Sequence, residues 1–98
     1  MLARITTVQI QPRAADELAQ YMTEVVVPAA RQAHGFGGIQ VLVNLATNTG
    51  IAITFWESEA DMAAGEASSG YYTQALAGAA RFLAGPPMRE AYEVRIKE

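Results

Sequence analysis

The sequence predicts an α+β fold in which one antiparallel four-stranded sheet carries helices on a single face. Four segments alternate apolar and polar side chains with the period of a strand, and two others show the three-and-four spacing of amphipathic helices. Their order is strand, helix, strand, strand, helix, strand. The 98 residues are enough for one hydrophobic core, so we expect a single domain over residues 1–98.

The first strand is predicted over residues 2–11, and Pro12 ends it because proline fixes φ and has no amide donor. An amphipathic helix follows. Pro28 interrupts this helix and is expected to kink or split it near residues 24–27. Gly35 suits the position just after the helix, where a left-handed backbone is common.

A hairpin is predicted next, with strands over residues 36–46 and 51–56 joined by a Thr-Asn-Thr-Gly turn. Ser58 and Asp61 then have the spacing of a helix capping box, in which a hydroxyl accepts a hydrogen bond from an amide of the first turn. Trp56 therefore stands at the junction between a strand and a helix.

This second helical region is expected to break near residues 68–70, because serine and glycine are weak helix formers. A short helix is predicted over residues 71–83, and the final strand over residues 88–97. Alternation in the final strand predicts that one set of side chains faces inward: Met88, Glu90, Tyr92, Val94 and Ile96. The other set is expected to face outward: Arg89, Glu93, Arg95 and Lys97. The complete order is that of the ferredoxin-like fold.

The composition excludes several classes of function. The chain is 51% hydrophobic and 17% charged, has a formal net charge of −3 and contains no cysteine. Its seven Lys and Arg residues are scattered, so they form no basic stripe for a nucleic acid. No apolar run approaches the roughly 20 residues that span a bilayer. We expect no nucleic-acid partner, no membrane partner and a cytoplasmic location.

The second and third strands are apolar on both faces, although helices can cover only one face of such a sheet. Leu42 alternates with Val41 and Val43, and Ile53 alternates with Ala52. An uncovered face of this kind would be an apolar patch on the order of several hundred Å². We therefore expect a homodimer in which the helix-free sheet faces of two copies pack together.

Three short motifs carry a resemblance to a known family: His-Gly-Phe-Gly-Gly at 34–38, Phe-Trp-Glu-Ser at 55–58 and Gly-Pro-Pro at 85–87. With them the chain resembles, over nearly its whole length, the antibiotic-biosynthesis-monooxygenase-like family of dimeric α/β barrels. The resemblance implies a homodimer with a pocket in each subunit between sheet and helices. Some members oxidise aromatic polyketides with O₂ and without metal or flavin, others degrade haem, and many have no assigned activity.

The resemblance also suggests pocket residues. Trp56 matches the tryptophan that lines the pocket of the polyketide-oxidising members. Ala52 and Met62 stand where those members have Asn and Tyr, and Leu42 replaces a polar residue of the second strand. Thr6 stands where haem-degrading members have Asn. The histidine that those members use as an iron ligand has no counterpart in the second helical segment.

Tyr71 and Tyr72 begin a helix beside the expected cavity mouth, and one of them is expected to point inward. Trp56 can form either the pocket wall or the core. His34 is either a general base or a charge placed at a helix C-terminus. The expected substrate-binding residues are Trp56, Tyr72, Tyr71, Thr6, Leu42 and Met62. We expect no metal and no cofactor.

Three functions remain open. The first is a cofactor-independent monooxygenase-like protein that acts on a small hydrophobic aromatic or polyketide-type compound. The second is a non-catalytic dimer that binds a hydrophobic small molecule, which the apolar Leu42, Ala52 and Met62 favour. The third is a haem-binding member, against which the missing histidine argues. The sequence identifies no catalytic residue.

Overall fold

The computed structural model describes residues 1–67 and 70–98, and its elements follow the predicted order. The strands are β1 (Leu2–Gln9), β2 (Phe36–Asn44), β3 (Thr49–Trp56) and β4 (Met88–Glu93). The main helices are α1 (Ala15–Tyr21), α2 (Val27–Arg31), α3 (Glu59–Glu66) and α4 (Tyr71–Ala79). The strands form one antiparallel sheet in the order β2-β3-β1-β4, with the helices on one face. The predicted α+β, ferredoxin-like fold is confirmed.

α1 and α2 belong to one helical region that is interrupted by a π-helical turn, Met22–Val26. Pro28 lies in the first turn of α2. It cannot donate to the helical hydrogen-bond ladder, and its ring crowds the preceding turn, so the helix widens just before it. The prediction that Pro28 divides this helix is confirmed. Gly35 follows with a φ of 76°, the left-handed conformation that its position predicts.

Ser58 begins α3 as the capping-box spacing predicts. Its Oγ accepts a hydrogen bond from the Asp61 amide at 3.1 Å, which satisfies one of the free amides of the first turn. α3 ends at Glu66, and α4 begins at Tyr71 and continues into a 3₁₀ turn, Ala80–Phe82. Ser68 and Ser69 of the predicted break lie outside the described residues. No helix in the described part of the chain is long and apolar enough to cross a membrane.

The prediction for the faces of β4 is wrong, and the strand ends at Glu93 rather than near residue 97. Arg4 of β1 is paired with Glu66 of α3, so Arg4 and its alternate neighbour Thr6 face the helices. Arg89 lies directly opposite Thr6 and therefore shares the helix-covered face. Three residues predicted to face inward lie on the helix-free face: Met88, Glu90 and Tyr92. Hydrophobic alternation cannot identify the covered face here, because both faces of the sheet are apolar.

Two packed clusters lie between the sheet and the helices. The first contains Ile10, Ala14, Leu18 and Phe82. The second surrounds Trp56, which is fully buried. The centroid of the Trp56 ring system is 5.7 Å from that of Phe36 and 6.0 Å from that of Tyr71. A cavity lies between the two clusters. Leu18 of the first cluster and Tyr71 of the second both line it.

Candidate functional site

The cavity is bounded by the helix-covered face of the sheet, by α1 with the π-helical turn, and by α4. Its volume, including the part that is open to solvent, is about 870 Å³. Val41 and Val43 of the edge strand β2 line it and are 38% and 37% exposed, which places an opening at this edge. Met22 and Val26 of the π-helical turn form part of the helical wall. Such turns recur at functional sites.

Three of the predicted substrate-binding residues line this cavity: Thr6, Tyr71 and Tyr72. The sequence predicts that one of the two tyrosines points inward, whereas both contribute to the wall. Successive helical residues are about 100° apart, so two neighbours can both face a wide cavity. The cavity therefore offers two phenol hydroxyls and one aliphatic hydroxyl at the positions where the sequence predicts ligand contacts.

The other three predicted residues are not part of the cavity wall. Trp56 lies behind Tyr71, whose ring stacks on it at an interplanar angle of 29°. Met62 is buried in α3 and is 6% exposed. Leu42 alternates with the cavity-lining Val41, so it points to the helix-free face, where it is 51% exposed. A ligand in the cavity would sense Trp56 only through Tyr71, and it would not contact Leu42 of the same chain.

One side of the cavity carries a charged group of residues that the sequence analysis missed. Arg4 donates two hydrogen bonds to the Glu66 carboxylate, from Nε at 2.7 Å and from Nη2 at 2.8 Å. Arg89 Nη2 lies 2.7 Å from Glu66 Oε2, and Arg89 Cζ is 3.8 Å from the centre of the Tyr72 ring. We call Arg4, Glu66, Arg89 and Tyr72 the polar cluster. The sequence contains one signal for this cluster. Arg4 shares a face of the first strand with apolar residues, and a charge in that position needs a partner.

The tyrosines of the cavity are hydrogen-bond donors near neutral pH. Burial raises the pKa of Tyr72 above its ordinary value, while the positive charge of Arg89 opposes the shift. Burial also raises the pKa of Tyr71, and the neighbouring Thr54 hydroxyl opposes it. Because both phenols keep their protons, neither can serve as a phenolate base, and each can hold an oxygen of a ligand.

His34 lies outside this cavity, in contact with Asp61. Its Nδ1 is 2.7 Å from Asp61 Oδ1, and its side chain is 91% exposed. Ser58 Oγ donates to the other Asp61 oxygen at 2.9 Å, so the hydroxyl is bound by the carboxylate rather than by the imidazole. A serine nucleophile needs direct contact with its base, and this group does not provide it. Among the described residues, no group of three His, Cys, Asp or Glu side chains could hold a metal ion.

We expect the pKa of His34 to lie above its ordinary value of 6.5, because Asp61 hydrogen-bonds to the imidazolium and its charge stabilises it. His34 is the only histidine of the chain, so its ring protons can be followed in an NMR titration without assignment. Asp61→Asn is expected to lower the pKa toward 6.5. An unchanged pKa in that variant would show that the pair does not form in solution.

The same pair makes stability depend on pH in a defined direction. Because folding raises the pKa of His34, the protonated residue stabilises the folded state. This stabilisation is fully present below the pKa of the unfolded state and is lost as the pH rises through the pKa of the folded state. The pKa of Asp61 is lowered by its hydrogen bonds to His34 and Ser58, so its contribution is lost as the pH falls through the folded-state pKa. The pair therefore stabilises the fold most between these two transitions.

Comparison with known proteins identifies the family. The sequence matches the profile of the family described as antibiotic biosynthesis monooxygenase over residues 1–77, so the chain belongs to this family. The resemblance that the three short motifs indicate is confirmed. No curated protein matches the sequence at a significant level.

Solved structures share the fold over nearly the whole chain. A monooxygenase from the ActVA-Orf6 gene of Streptomyces coelicolor, in complex with nanaomycin D, has a TM-score of 0.84 and 17% identity over 99% of this chain and 89% of that chain. A Nitrosomonas europaea protein of unknown function has a TM-score of 0.79 and 21% identity, over 99% of this chain and 91% of that chain. A conserved Methanosarcina mazei protein has a TM-score of 0.76 and 12% identity, over 93% of this chain and 89% of that chain. At these identities the similarity establishes the fold alone.

Proposed function

We propose that this protein binds a small hydrophobic aromatic compound of the polyketide type and oxidises it with O₂, without a metal or an organic cofactor. The observation that carries the proposal is the open, mainly apolar cavity between the sheet and the helices, with Thr6, Tyr71 and Tyr72 in its wall. Apolar walls with a few polar groups are typical of small-molecule sites. Membership of a monooxygenase family supports the same conclusion.

The proposed reaction converts a ring CH₂ group of an anthrone-type substrate and O₂ into a carbonyl group and water. One oxygen atom enters the product, the other leaves as water, and the substrate supplies all four electrons. Loss of a proton from the substrate to solvent water makes the substrate a better electron donor, and the Thr6 and Tyr71 hydroxyls can hydrogen-bond to the oxyanion that results. Apolar side chains such as Ala52 and Val8 keep water away from the reacting carbon.

A test of this proposal measures the oxidation of 1,8-dihydroxyanthrone, with ¹⁸O₂ used to follow oxygen incorporation. We expect the protein to accelerate the reaction by at least about tenfold over the spontaneous rate and to place one labelled atom in the product. Ala52→Phe should remove the acceleration, because Ala52 lines the cavity. Ala63→Phe, on the exposed side of α3, is the matched control and should retain it. Equal activity of the two variants would contradict the proposal.

A binding protein without catalysis is the second candidate. Among the described residues the cavity wall includes no carboxylate and no imidazole, and Glu66 of the polar cluster is held by Arg4 and Arg89, so a conventional general base is lacking there. Binding of the anthrone without faster oxidation, blocked in Ala52→Phe but not in Ala63→Phe, would favour this candidate. Haem fits the site poorly, because His34 is exposed and paired with Asp61 outside the cavity.

We also propose that two copies form a homodimer through the helix-free sheet face. Ile5, Ile53 and Phe55 lie on this face and are only half-buried in a single chain. Leu42 and Tyr92 on the same face are each 51% exposed. No described helix covers these side chains, and a second copy of the same apolar face is the simplest cover.

Ile53→Asp is expected to abolish the dimer and to destabilise the fold, because it places a charge among apolar side chains with no partner. Ile53→Val keeps the apolar surface and should remain dimeric. Sedimentation velocity at micromolar concentration measures both variants and the wild type. A monomeric wild type would contradict the proposed dimer, and a folded dimer of Ile53→Asp would show that this face is not the interface.

A further inference from the structure

The polar cluster holds more hydrogen-bond donors than acceptors. Within the described residues, three of its buried atoms have no hydrogen-bond partner: Tyr72 Oη, Arg89 Nε and Arg89 Nη2. Buried polar groups are paired in the great majority of cases, because water no longer compensates them. Arg89 and Tyr72 both line the cavity, although these three atoms are themselves covered, so a bound molecule reaches them once the two side chains move apart.

Arg4 and Arg89 differ in how the same edge of the guanidinium group is used. Nε and Nη2 form the edge that binds a carboxylate through two parallel hydrogen bonds. In Arg4 this edge holds both oxygens of Glu66, at 2.7 and 2.8 Å. In Arg89 the Nη2 atom is 2.7 Å from Glu66 Oε2, but neither edge atom makes a hydrogen bond. Glu66 therefore satisfies the whole edge of Arg4, whereas Arg89 has a close ion pair through Nη2 and an Nε without a partner among the described residues.

The charges of the polar cluster also indicate that Arg89 lacks a negatively charged partner of its own. Two guanidinium groups face one carboxylate, which leaves one positive charge in excess. Water compensates this charge incompletely, because the side chains of Arg4, Arg89 and Glu66 are only 19%, 25% and 13% exposed. Tyr72 keeps its proton, so its hydroxyl is a further donor without an acceptor among the described residues. A single carboxylate would balance the charge and accept from all three atoms.

We propose that the ligand of the cavity is an aromatic acid whose carboxylate binds the Nε–Nη2 edge of Arg89 and accepts a hydrogen bond from the Tyr72 hydroxyl. The aromatic body then lies along the apolar wall formed by residues such as Val8, Ala52 and Leu76. This inference rests on the proposed function, since it takes the cavity as the ligand site, and it adds the chemical class of the ligand. Arg89 thereby becomes the residue that selects acids over neutral aromatics.

The test compares three probes of the same shape by titration calorimetry at pH 7: 2-naphthoate, 2-naphthamide and 2-naphthol. We expect 2-naphthoate to bind about 10- to 100-fold more tightly than 2-naphthamide, because hydrogen bonds to charged groups are the stronger ones. 2-Naphthol is neutral at this pH and should bind as weakly as the amide. Its binding shows whether the ligand oxygen that accepts from Arg89 and Tyr72 belongs to a carboxylate or to a phenol.

Variants connect this preference to the polar cluster. Arg89→Gln should reduce the preference for naphthoate over naphthamide to about twofold or less, whereas Arg95→Gln, whose side chain is 82% exposed in the wild type, should preserve it. Tyr72→Phe keeps the ring over which Arg89 lies and removes only the hydroxyl. It should weaken naphthoate binding by about 3- to 10-fold and leave naphthamide binding nearly unchanged. This variant decides the question if Arg89→Gln does not fold.

The outcomes separate this inference from the proposed function. Equal binding of acid and amide, or naphthol binding as tight as that of naphthoate, would overturn the inference and leave the cavity as a site for neutral aromatics. A preference that survives in folded Arg89→Gln, or naphthoate binding that is unchanged in Tyr72→Phe, would also overturn it. Failure of all three probes to bind would overturn both the inference and the proposed function.

Discussion

Trp56→Ala is expected to destabilise the protein by about 3–5 kcal/mol, the usual range for a buried aromatic residue. Trp56 is fully buried between Phe36 and Tyr71, and its indole N–H donates to Thr54 Oγ1 at 3.2 Å. Truncation removes these contacts, leaves a cavity and deprives the buried Thr54 of a partner. Urea denaturation followed by far-ultraviolet circular dichroism measures the change without relying on tryptophan emission.

Leu45→Ala is the matched control for this large effect. Leu45 is 76% exposed, so its truncation should change the free energy of unfolding by no more than about 0.5 kcal/mol. Trp56→Phe retains an aromatic ring and should lie between the two. A loss below about 1 kcal/mol in Trp56→Ala would show that Trp56 is not part of a packed core.

Gly35→Ala is expected to destabilise the protein by about 2–4 kcal/mol through two separate costs. Gly35 has a φ of 76°, where a side chain is strained by about 1–2 kcal/mol. A Cβ atom would also overlap the side chain of Asp61. Asp61 cannot move away freely, because Ser58 and His34 both hold its carboxylate. Thermal and urea denaturation measure the loss.

Gly85→Ala provides the comparison, because no atom lies within 4 Å of the added Cβ and φ is not positive there. This variant should be as stable as the wild type to within about 0.5 kcal/mol. If Gly35→Ala were as stable as Gly85→Ala, the left-handed turn and its close contact with α3 would both be disproved. A loss in Gly35→Ala that Asp61→Ala relieves in part would separate the overlap from the backbone strain.

The parts of the fold that were predictable are those that depend on a few neighbouring residues. The Ser58 cap forms within one helical turn, and Pro28 disturbs the turn directly before it. Gly35 needs only its own backbone conformation. Each of these signals has a local physical cause, so it can be recognised without knowing which segments meet in the folded chain.

The faces of β4 and the polar cluster were not predictable by the same reasoning. Arg4 and Glu66 are 62 positions apart in the sequence, and the place of Arg89 follows from its pairing with Thr6. Such long-range pairs depend on strand register, and alternation fixes register only where one face is clearly polar. The prediction of Leu42 as a pocket residue rests on the resemblance alone. Leu42 shares its face of β2 with Gln40 and Asn44, and the more apolar face, with Ile39, Val41 and Val43, is the one the helices cover.

The packing of Trp56 against Tyr71 has a spectroscopic consequence. The chain contains one tryptophan, which is shielded from solvent behind Tyr71, a residue of the cavity wall. Emission from an indole depends on the polarity and the quenching groups of its immediate surroundings. A molecule that enters the cavity and shifts the Tyr71 ring will therefore change the intensity or wavelength of this emission. The protein thus has an intrinsic, single-site optical signal for occupancy, separated from the cavity by one aromatic ring and requiring no label.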